Sequence, residues 1–339
     1  VRVLLIGGSG FIGQRVIARL QQRGHDVIIF HRGLSKAPKE LDVDYITGNR
    51  LEIDKYTREI DRAAPDAAID FLPWNDTDTR RVIQSLHGRV ERVIHLSSGD
   101  VYRAWGNFLN GDYGEPVPLG EDAPLRSNLY PYAGTRPGME TYDKVLAERA
   151  ILTAHYEEGY PGAIIRLPMV YGPGDPQHRI WPFVKRMLDG RPYILLSKCH
   201  AAWLSQRGYV DDVAFGIVLA AERESSVGQV YNVGSLRTHS IGAWVRRIGD
   251  IMGWDGEIRL VPPDRLPRHL QSSHNYMQHI LFDTSKIRRE LGYYELVDSE
   301  EALRLTVEWQ REIPPENSNG HKFDYAAEDA VVRELAHEL

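Results

Sequence analysis

Val1-Arg2-Val3-Leu4-Leu5-Ile6-Gly7-Gly8-Ser9-Gly10-Phe11-Ile12-Gly13 opens the chain. The apolar first half reads as a buried strand, and the second half is a glycine-rich turn. An amphipathic helix is expected next, over 14–23, ending at Gly24. In a strand–turn–helix unit of this kind Gly7 permits the sharp turn and Gly10 lets backbone approach a pyrophosphate. Gly13 lets the helix pack tightly on the strand. Free N–H groups and a partial positive charge at the helix start complement phosphate. Glycines also punctuate ordinary turns, so the placement between strand and helix carries the meaning. The stretch implies a dinucleotide site.

The next strand, 26–30, bears on which dinucleotide. An acidic residue at its end would bond the adenosine ribose hydroxyls and repel a 2′-phosphate. His31-Arg32-Gly33 stands there instead, followed by Ser35 and Lys36. Arg32 can form a charge-assisted fork with a 2′-phosphate, and Lys36 adds positive field. An Arg32 that stacks on adenine or lies in solvent is the plainer alternative. The residues point to NADP, with NAD as the alternative.

The chain has 339 residues, 42% of them hydrophobic, enough for a large core in one elaborated domain or two. No apolar run approaches the roughly 20 residues of a membrane span. The chain begins inside its first strand, so little or nothing is expected before the fold. Its single cysteine, Cys199, precludes an intrachain disulfide, which fits a reducing cytoplasm. Cys199-His200 is too small a cluster for a metal site. A net charge of −6 gives no general attraction to nucleic acid or anionic membrane. A local basic patch built from Arg186, Arg191 and Arg207 stays open.

Short apolar segments recur at 43–46, 67–72, 90–96 and 163–167, with helical patterns at 79–86 and 139–158 between them. Buried strands separated by helices imply a parallel sheet covered on both faces, a doubly wound α/β fold. The stretch 105–137 is rich in Gly, Pro, Asn and Tyr and lacks periodicity. A loop that long is usually functional, and it falls at the carboxyl edge of the sheet, where such folds bind ligands. After residue 171 the rhythm changes: helices are expected at 180–188, 210–221, 241–252, 284–291 and 300–311, with strands at 230–233 and 258–261. The expected division is a nucleotide-binding domain over 1–170, rejoined by 206–233. A smaller α/β substrate lobe covers 171–205 and 234–320, and a helical tail 321–339, a docking arm or a frayed end, closes the chain.

The chain resembles the extended short-chain dehydrogenase/reductases, which include nucleotide-sugar epimerases and dehydratases. The resemblance rests on Gly7, Gly10 and Gly13, on Leu96-Ser97-Ser98-Gly99-Asp100-Val101-Tyr102, and on Arg166-Leu167-Pro168-Met169-Val170-Tyr171-Gly172-Pro173-Gly174-Asp175. Val210-Asp211-Asp212-Val213-Ala214 and Val230-Tyr231-Asn232-Val233-Gly234 extend it. Within it, the segment Gln206-Arg207-Gly208-Tyr209-Val210-Asp211-Asp212 looks like the atypical subgroup that holds the chloroplast stem-loop RNA-binding proteins. The resemblance implies a Rossmann domain with the coenzyme lying on Gly7, Ser9, Gly10, Phe11, Ile12, Gly13, His31, Arg32, Lys36, Leu72, Lys144 and Pro168. It also implies a homodimer paired through the helices at 79–86 and 139–158.

In the family a substrate alcohol passes hydride to nicotinamide, a tyrosine takes the hydroxyl proton, and a lysine one turn later lowers that tyrosine's pKa. A phenol is a usable base at neutral pH only beside a fixed cation. The resemblance assigns Ser98 to the reacting oxygen, with a strand-end backbone partner as the alternative. It assigns Lys144 to the nicotinamide ribose. Four residues before Lys144 stands Glu140, not tyrosine. Three accounts are open: Glu140 pairs with Lys144 at i,i+4, Glu140 is itself the acid/base, or Tyr132 reaches in from the long loop. Tyr142, two residues from Lys144, would point to the far side of a helix. Asp100 occupies the second place of the acid pair found in family dehydratases, with a turn or cap role as its alternative. Arg207 is the candidate for holding a substrate diphosphate, a surface arginine being the other reading. A small-molecule alcohol is the implied substrate, nucleotide-linked or a free polyol. A cofactor-binding regulator or RNA binder without redox turnover is the alternative.

Overall fold

The computed structural model describes residues 1–33, 43–111 and 114–337; Lys36 lies outside them. Strands β1 (Arg2–Ile6), β2 (Asp26–His31), β3 (Asp44–Thr47), β4 (Ala67–Asp70), β5 (Arg92–Ser98) and β6 (Gly162–Leu167) follow one another along the chain. Further on come β7 (Met169–Tyr171), β8 (Tyr193–Leu196), β9 (Arg207–Tyr209), β10 (Val230–Asn232) and β11 (Glu257–Leu260). The helices of the first half are α1 (Phe11–Gln22), α2 (Thr57–Ala63), α3 (Asp76–Leu86), α4 (Arg103–Asn110) and α5 (Lys144–Glu158). Beyond them lie α6 (Trp181–Leu188), α7 (Lys198–Ala202), α8 (Val210–Glu222), α9 (Ile241–Met252), α10 (Ser285–Leu291), α11 (Ser299–Glu312) and α12 (Tyr325–His337).

Seven strands form one parallel sheet in the order β10-β6-β5-β4-β1-β2-β3. The Rossmann-like α/β class expected from the sequence is what forms. Alternation along β1 sorts the core: Val3 and Leu5 pack with Val16, Ile17 and Leu20 of α1, while Leu4 and Ile6 face Val82, Ile83 and Leu86 of α3. Helices α1 and α8 cover one face, α3 and α5 the other. With both faces covered, the strands need no polar side, which is why they read as continuous apolar runs. Strand order reverses between β1 and β4, and the crevice above their carboxyl ends is where such sheets take ligands. Away from the sheet, β8 pairs with β11 and β7 with β9.

Three of the departures from expectation have a local reason. Helix α5 starts at Lys144, not at 139, because the Asp143 side chain caps it, accepting from the N–H groups of Val145 at 2.9 Å and Leu146 at 3.3 Å. Helix α3 starts three residues early, capped by Asn75, whose side chain accepts from the Asp78 N–H at 2.8 Å. The stretch expected to be all loop opens with α4, whose buried Ala104 and Phe108 dock it against the core. The tail is docked through α12: Glu328 is fully buried and pairs with Arg186 at 2.6 Å, and Val331, Val332 and Leu335 pack on Leu195, Val261 and Leu266.

Candidate active site

The opening turn is built as a cradle. Gly7 and Gly8 hold φ of +84° and +89°, values that L side chains adopt at a cost. A Cβ on Gly13 would lie 1.9 Å from the Gly8 carbonyl oxygen, so helix and turn meet there only as glycine. A Cβ on Gly10 would meet no protein atom, which leaves the space before the first N–H groups of α1 open. A cavity of about 410 Å³ runs from this turn along Ser9, His31, Arg32 and Leu72. Buried His31 Nδ1 has no partner among the described residues, and Arg32 is exposed at the cavity's edge. Asn49, Arg50 and Leu51, beyond β3, line the same cavity. Phe11, Ile12 and Gly13 form the first turn of α1 behind it. The cradle and the open helix start fit a dinucleotide.

At the carboxyl end of β4 the buried Asp70 receives Arg50 at 3.2 Å and the Leu72 N–H at 3.0 Å, with His95 Nδ1 at 3.4 Å. Burial opposes its charge, but Arg50 and His95 outweigh burial and hold the carboxyl down at about 2. Lys144, the first residue of α5, is buried, and its Nζ donates to the Leu96 carbonyl at 2.7 Å. Burial lowers its ammonium to about 8 despite the nearby charges of Asp70 and Asp100.

A second cavity, about 510 Å³, lies above β5 and is lined by Ser98, Asp100, Tyr132, Tyr142 and Pro168. Trp105, Phe108, Trp203, Tyr276 and Phe282 give it largely aromatic walls. The loop before α5 joins the two cavities, with Gly138 and Thr141 lining the first and Met139 and Tyr142 the second. Ser98 Oγ accepts from the Asp100 N–H at 3.2 Å, so the serine caps the turn after β5 while facing the cavity. Asp100 is not a simple turn residue. Its Oδ2 accepts from the phenols of Tyr142 at 2.8 Å and Tyr132 at 3.1 Å, and its Oδ1 is buried without a partner among the described residues. Burial raises its carboxyl, against the two phenols and the charges of Arg126 and Lys144. Arg126 ties the arrangement together, donating to the Asp100 carbonyl at 2.9 Å and forking onto Asp143 at 3.0 and 3.1 Å.

Two expectations are corrected here. Glu140 does not pair with Lys144: α5 begins after it, so the i,i+4 relation never forms, and the exposed carboxylate accepts the Gly138 N–H at 3.1 Å. Arg207 neither lines the aromatic-walled cavity nor lies free on the surface. Its guanidinium covers the Trp244 ring at 4.7 Å and donates to the Ser205 carbonyl at 3.3 Å, and burial lowers it to about 10. Arg186 and Arg191, the other members of the suggested basic patch, are bound to Glu328 and Asp329. Tyr142 is the residue that the sequence reading passed over. The signal that finds it is Asp143 as a helix cap, which frees the preceding residues from helical geometry.

Residues 3–234 match the model of the NAD dependent epimerase/dehydratase family. The chain belongs to that family. It is 25% identical over 346 residues to a trifunctional UDP-glucose 4,6-dehydratase, 3,5-epimerase and reductase of Arabidopsis thaliana, covering 92% of this chain and 47% of that protein. The chain thus spans about half the length of that relative. It is 26% identical over 330 residues to a 3-beta-hydroxysteroid dehydrogenase of Mycolicibacterium neoaurum, covering 89% of each. Among solved structures it is similar to a dTDP-glucose 4,6-dehydratase of Bacillus anthracis in complex with NAD. The TM-score is 0.70 at 18% identity, over 92% of this chain and 97% of that one. At Gly99, beside Asp100, a Cβ would lie 2.0 Å from the Phe282 ring, so a side chain there requires that ring to shift. Among the described residues no cluster of potential ligands could hold a metal ion, and no helix is long and apolar enough to cross a membrane.

Proposed function

We propose that the protein is an NAD(P)-dependent oxidoreductase of the epimerase/dehydratase type, with NADP preferred, acting on an alcohol of a nucleotide-linked or polyol-like substrate. The observation that carries the reading is the junction of the two cavities: the glycine cradle and the Ser98–Asp100 wall share the loop that leads into Lys144. The cradle and the start of α1 would hold the pyrophosphate, Arg32 the adenosine 2′-phosphate, and Lys144 the nicotinamide ribose. When bound, the nicotinamide supplies the hydride acceptor. Ser98 would orient the substrate oxygen, and the Asp100–tyrosine cluster handles its proton. Sugar-nucleotide chemistry is supported by the dehydratase relatives, and the steroid dehydrogenase relative widens the alcohols worth testing. The same reading has a cytoplasmic homodimer paired through α3 and α5.

Purified protein with NADP⁺ is expected to turn over some member of a panel of UDP-glucose, dTDP-glucose and UDP-glucuronate, and Lys144→Ala is expected to abolish that turnover. Unchanged turnover in Lys144→Ala would remove the assigned role of the lysine. A second reading, a coenzyme-binding regulator or RNA binder like the chloroplast stem-loop proteins, is favoured by the exposed glutamate at the family's tyrosine position. Silence across the panel together with salt-sensitive retention of RNA would select it.

A further inference from the structure

We propose that Tyr142 and Asp100 form a phenol–carboxylate proton relay in the wall of the substrate cavity, in place of a phenol–ammonium pair. The inference rests on the oxidoreductase reading above and names the groups that move its proton.

Two phenols meet one carboxylate oxygen, but they are not equivalent. The Tyr132 oxygen donates to Asp100 and also accepts from Trp105 Nε1 at 3.1 Å, and its ring is covered by the Arg136 guanidinium at 4.3 Å. The Tyr142 oxygen donates to Asp100 at 2.8 Å and accepts from no described residue. A phenol oxygen that donates once still has acceptor capacity, and that of Tyr142 is free for a substrate hydroxyl. Tyr142 also stands edge-on to Trp74 of the coenzyme cavity, ring centroids 6.2 Å apart. It therefore sits where alcohol and coenzyme would meet. The cations near the pair are Arg126, spent on Asp143, and Lys144, whose Nζ donates to the Leu96 carbonyl. Neither bonds a phenol.

Burial and the Asp100 carboxylate both push the Tyr142 phenol well above its ordinary pKa. Such a phenol is a poor free base and acts as a conduit. The substrate O–H bond breaks, its proton passes to Tyr142 Oη, and the Tyr142 proton passes to Asp100 Oδ2. The electron pair of the O–H bond would become the second C–O bond, with the carbon's hydride going to a nicotinamide that, when bound, supplies the acceptor. Asp100 ends as a neutral carboxylic acid and Tyr142 as a neutral phenol; reduction runs the same path backwards. The raised carboxyl pKa suits Asp100 to hold that proton.

The test has two parts. In coenzyme-free protein, the infrared antisymmetric stretch of the ionised Asp100 carboxylate, identified by its loss in Asp100→Asn, is expected to shift in Tyr142→Phe. Ultraviolet titration of the wild type is expected to show no phenolate at neutral pH. With NADP⁺ and the panel above, Tyr142→Phe and Asp100→Asn are expected to lose about 10²–10⁴-fold in kcat with KM little changed. Tyr132→Phe should lose less in kcat than Tyr142→Phe. An unshifted carboxylate band, a neutral-pH phenolate that Tyr142→Phe abolishes, or wild-type turnover in Tyr142→Phe would each overturn the relay. If the wild type neither binds NADP⁺ nor turns over the panel, the oxidoreductase reading falls, and the band and the phenol titration still decide whether the pair exists.

Discussion

A single side chain, Lys144, carries a pH signature. Its ammonium is lowered by burial from 10.5 to about 8 in the folded protein. Between those values the folded state has released a proton that the unfolded chain still binds, so stability gains as pH rises through the window and is lost as it falls to about 8. The shift amounts to about 3 kcal/mol. The unfolding free energy of wild type minus that of Lys144→Met, from urea titrations of coenzyme-free protein, is expected to rise by that order between pH 8 and 10.5. A pH-independent difference would show that Lys144 is solvated. Coenzyme selectivity is also a residue-scale matter. Arg32→Asp is expected to weaken NADP⁺ binding at least tenfold, by analogy with a lost charge-assisted pair of about 1.5–3 kcal/mol. Equal NADP⁺ affinity in both proteins would leave Arg32 as a solvated side chain.

Among the elements, the β1–turn–α1 unit is the most constrained. Gly13→Ala places a Cβ 1.9 Å from the Gly8 carbonyl oxygen, a backbone atom that cannot rotate away. Overpacking of this kind costs about 1–3 kcal/mol, and the displaced turn should lose coenzyme affinity. Unchanged melting temperature and NADP⁺ affinity would show that the turn yields. This unit was legible in the sequence because buried parallel strands are continuous apolar runs and the turn needs glycine at fixed places. The start of α5 was not. Met139, Tyr142 and Val145 keep a helical spacing across the boundary, and only the Asp143 cap breaks it. Reading a helix through that boundary set Glu140 beside Lys144 and turned Tyr142 away, whereas Glu140 accepts from the Gly138 N–H and Tyr142 bonds Asp100. Strands β7 and β9 have three residues each, too few to show periodicity. The Phe282 ring that crowds Gly99 lies far along the chain and leaves no local trace.

Across the whole molecule, ion pairs tie distant segments together. Arg186 of α6 and Glu328 of α12 pair at 2.6 Å, both buried, with His269 at 3.0 Å from the same carboxylate. Removing one partner strands a buried charge, so Glu328→Ala is expected to destabilise by about 3–5 kcal/mol, while Arg186→Met with Glu328→Leu recovers most of that. Denaturant midpoints for the three proteins read this directly, and a shift under 0.5 kcal/mol for Glu328→Ala would mean the tail is not held by the pair. The fold and the two cavities support the proposal that a nicotinamide coenzyme lies along the carboxyl edge of the sheet from the glycine cradle to Lys144. Titration calorimetry of the purified protein with NADP⁺ and NAD⁺ tests it most directly. One-to-one binding, tighter for NADP⁺ and weakened by Gly13→Ala, is the expected result; heats of dilution alone with both coenzymes would contradict the account.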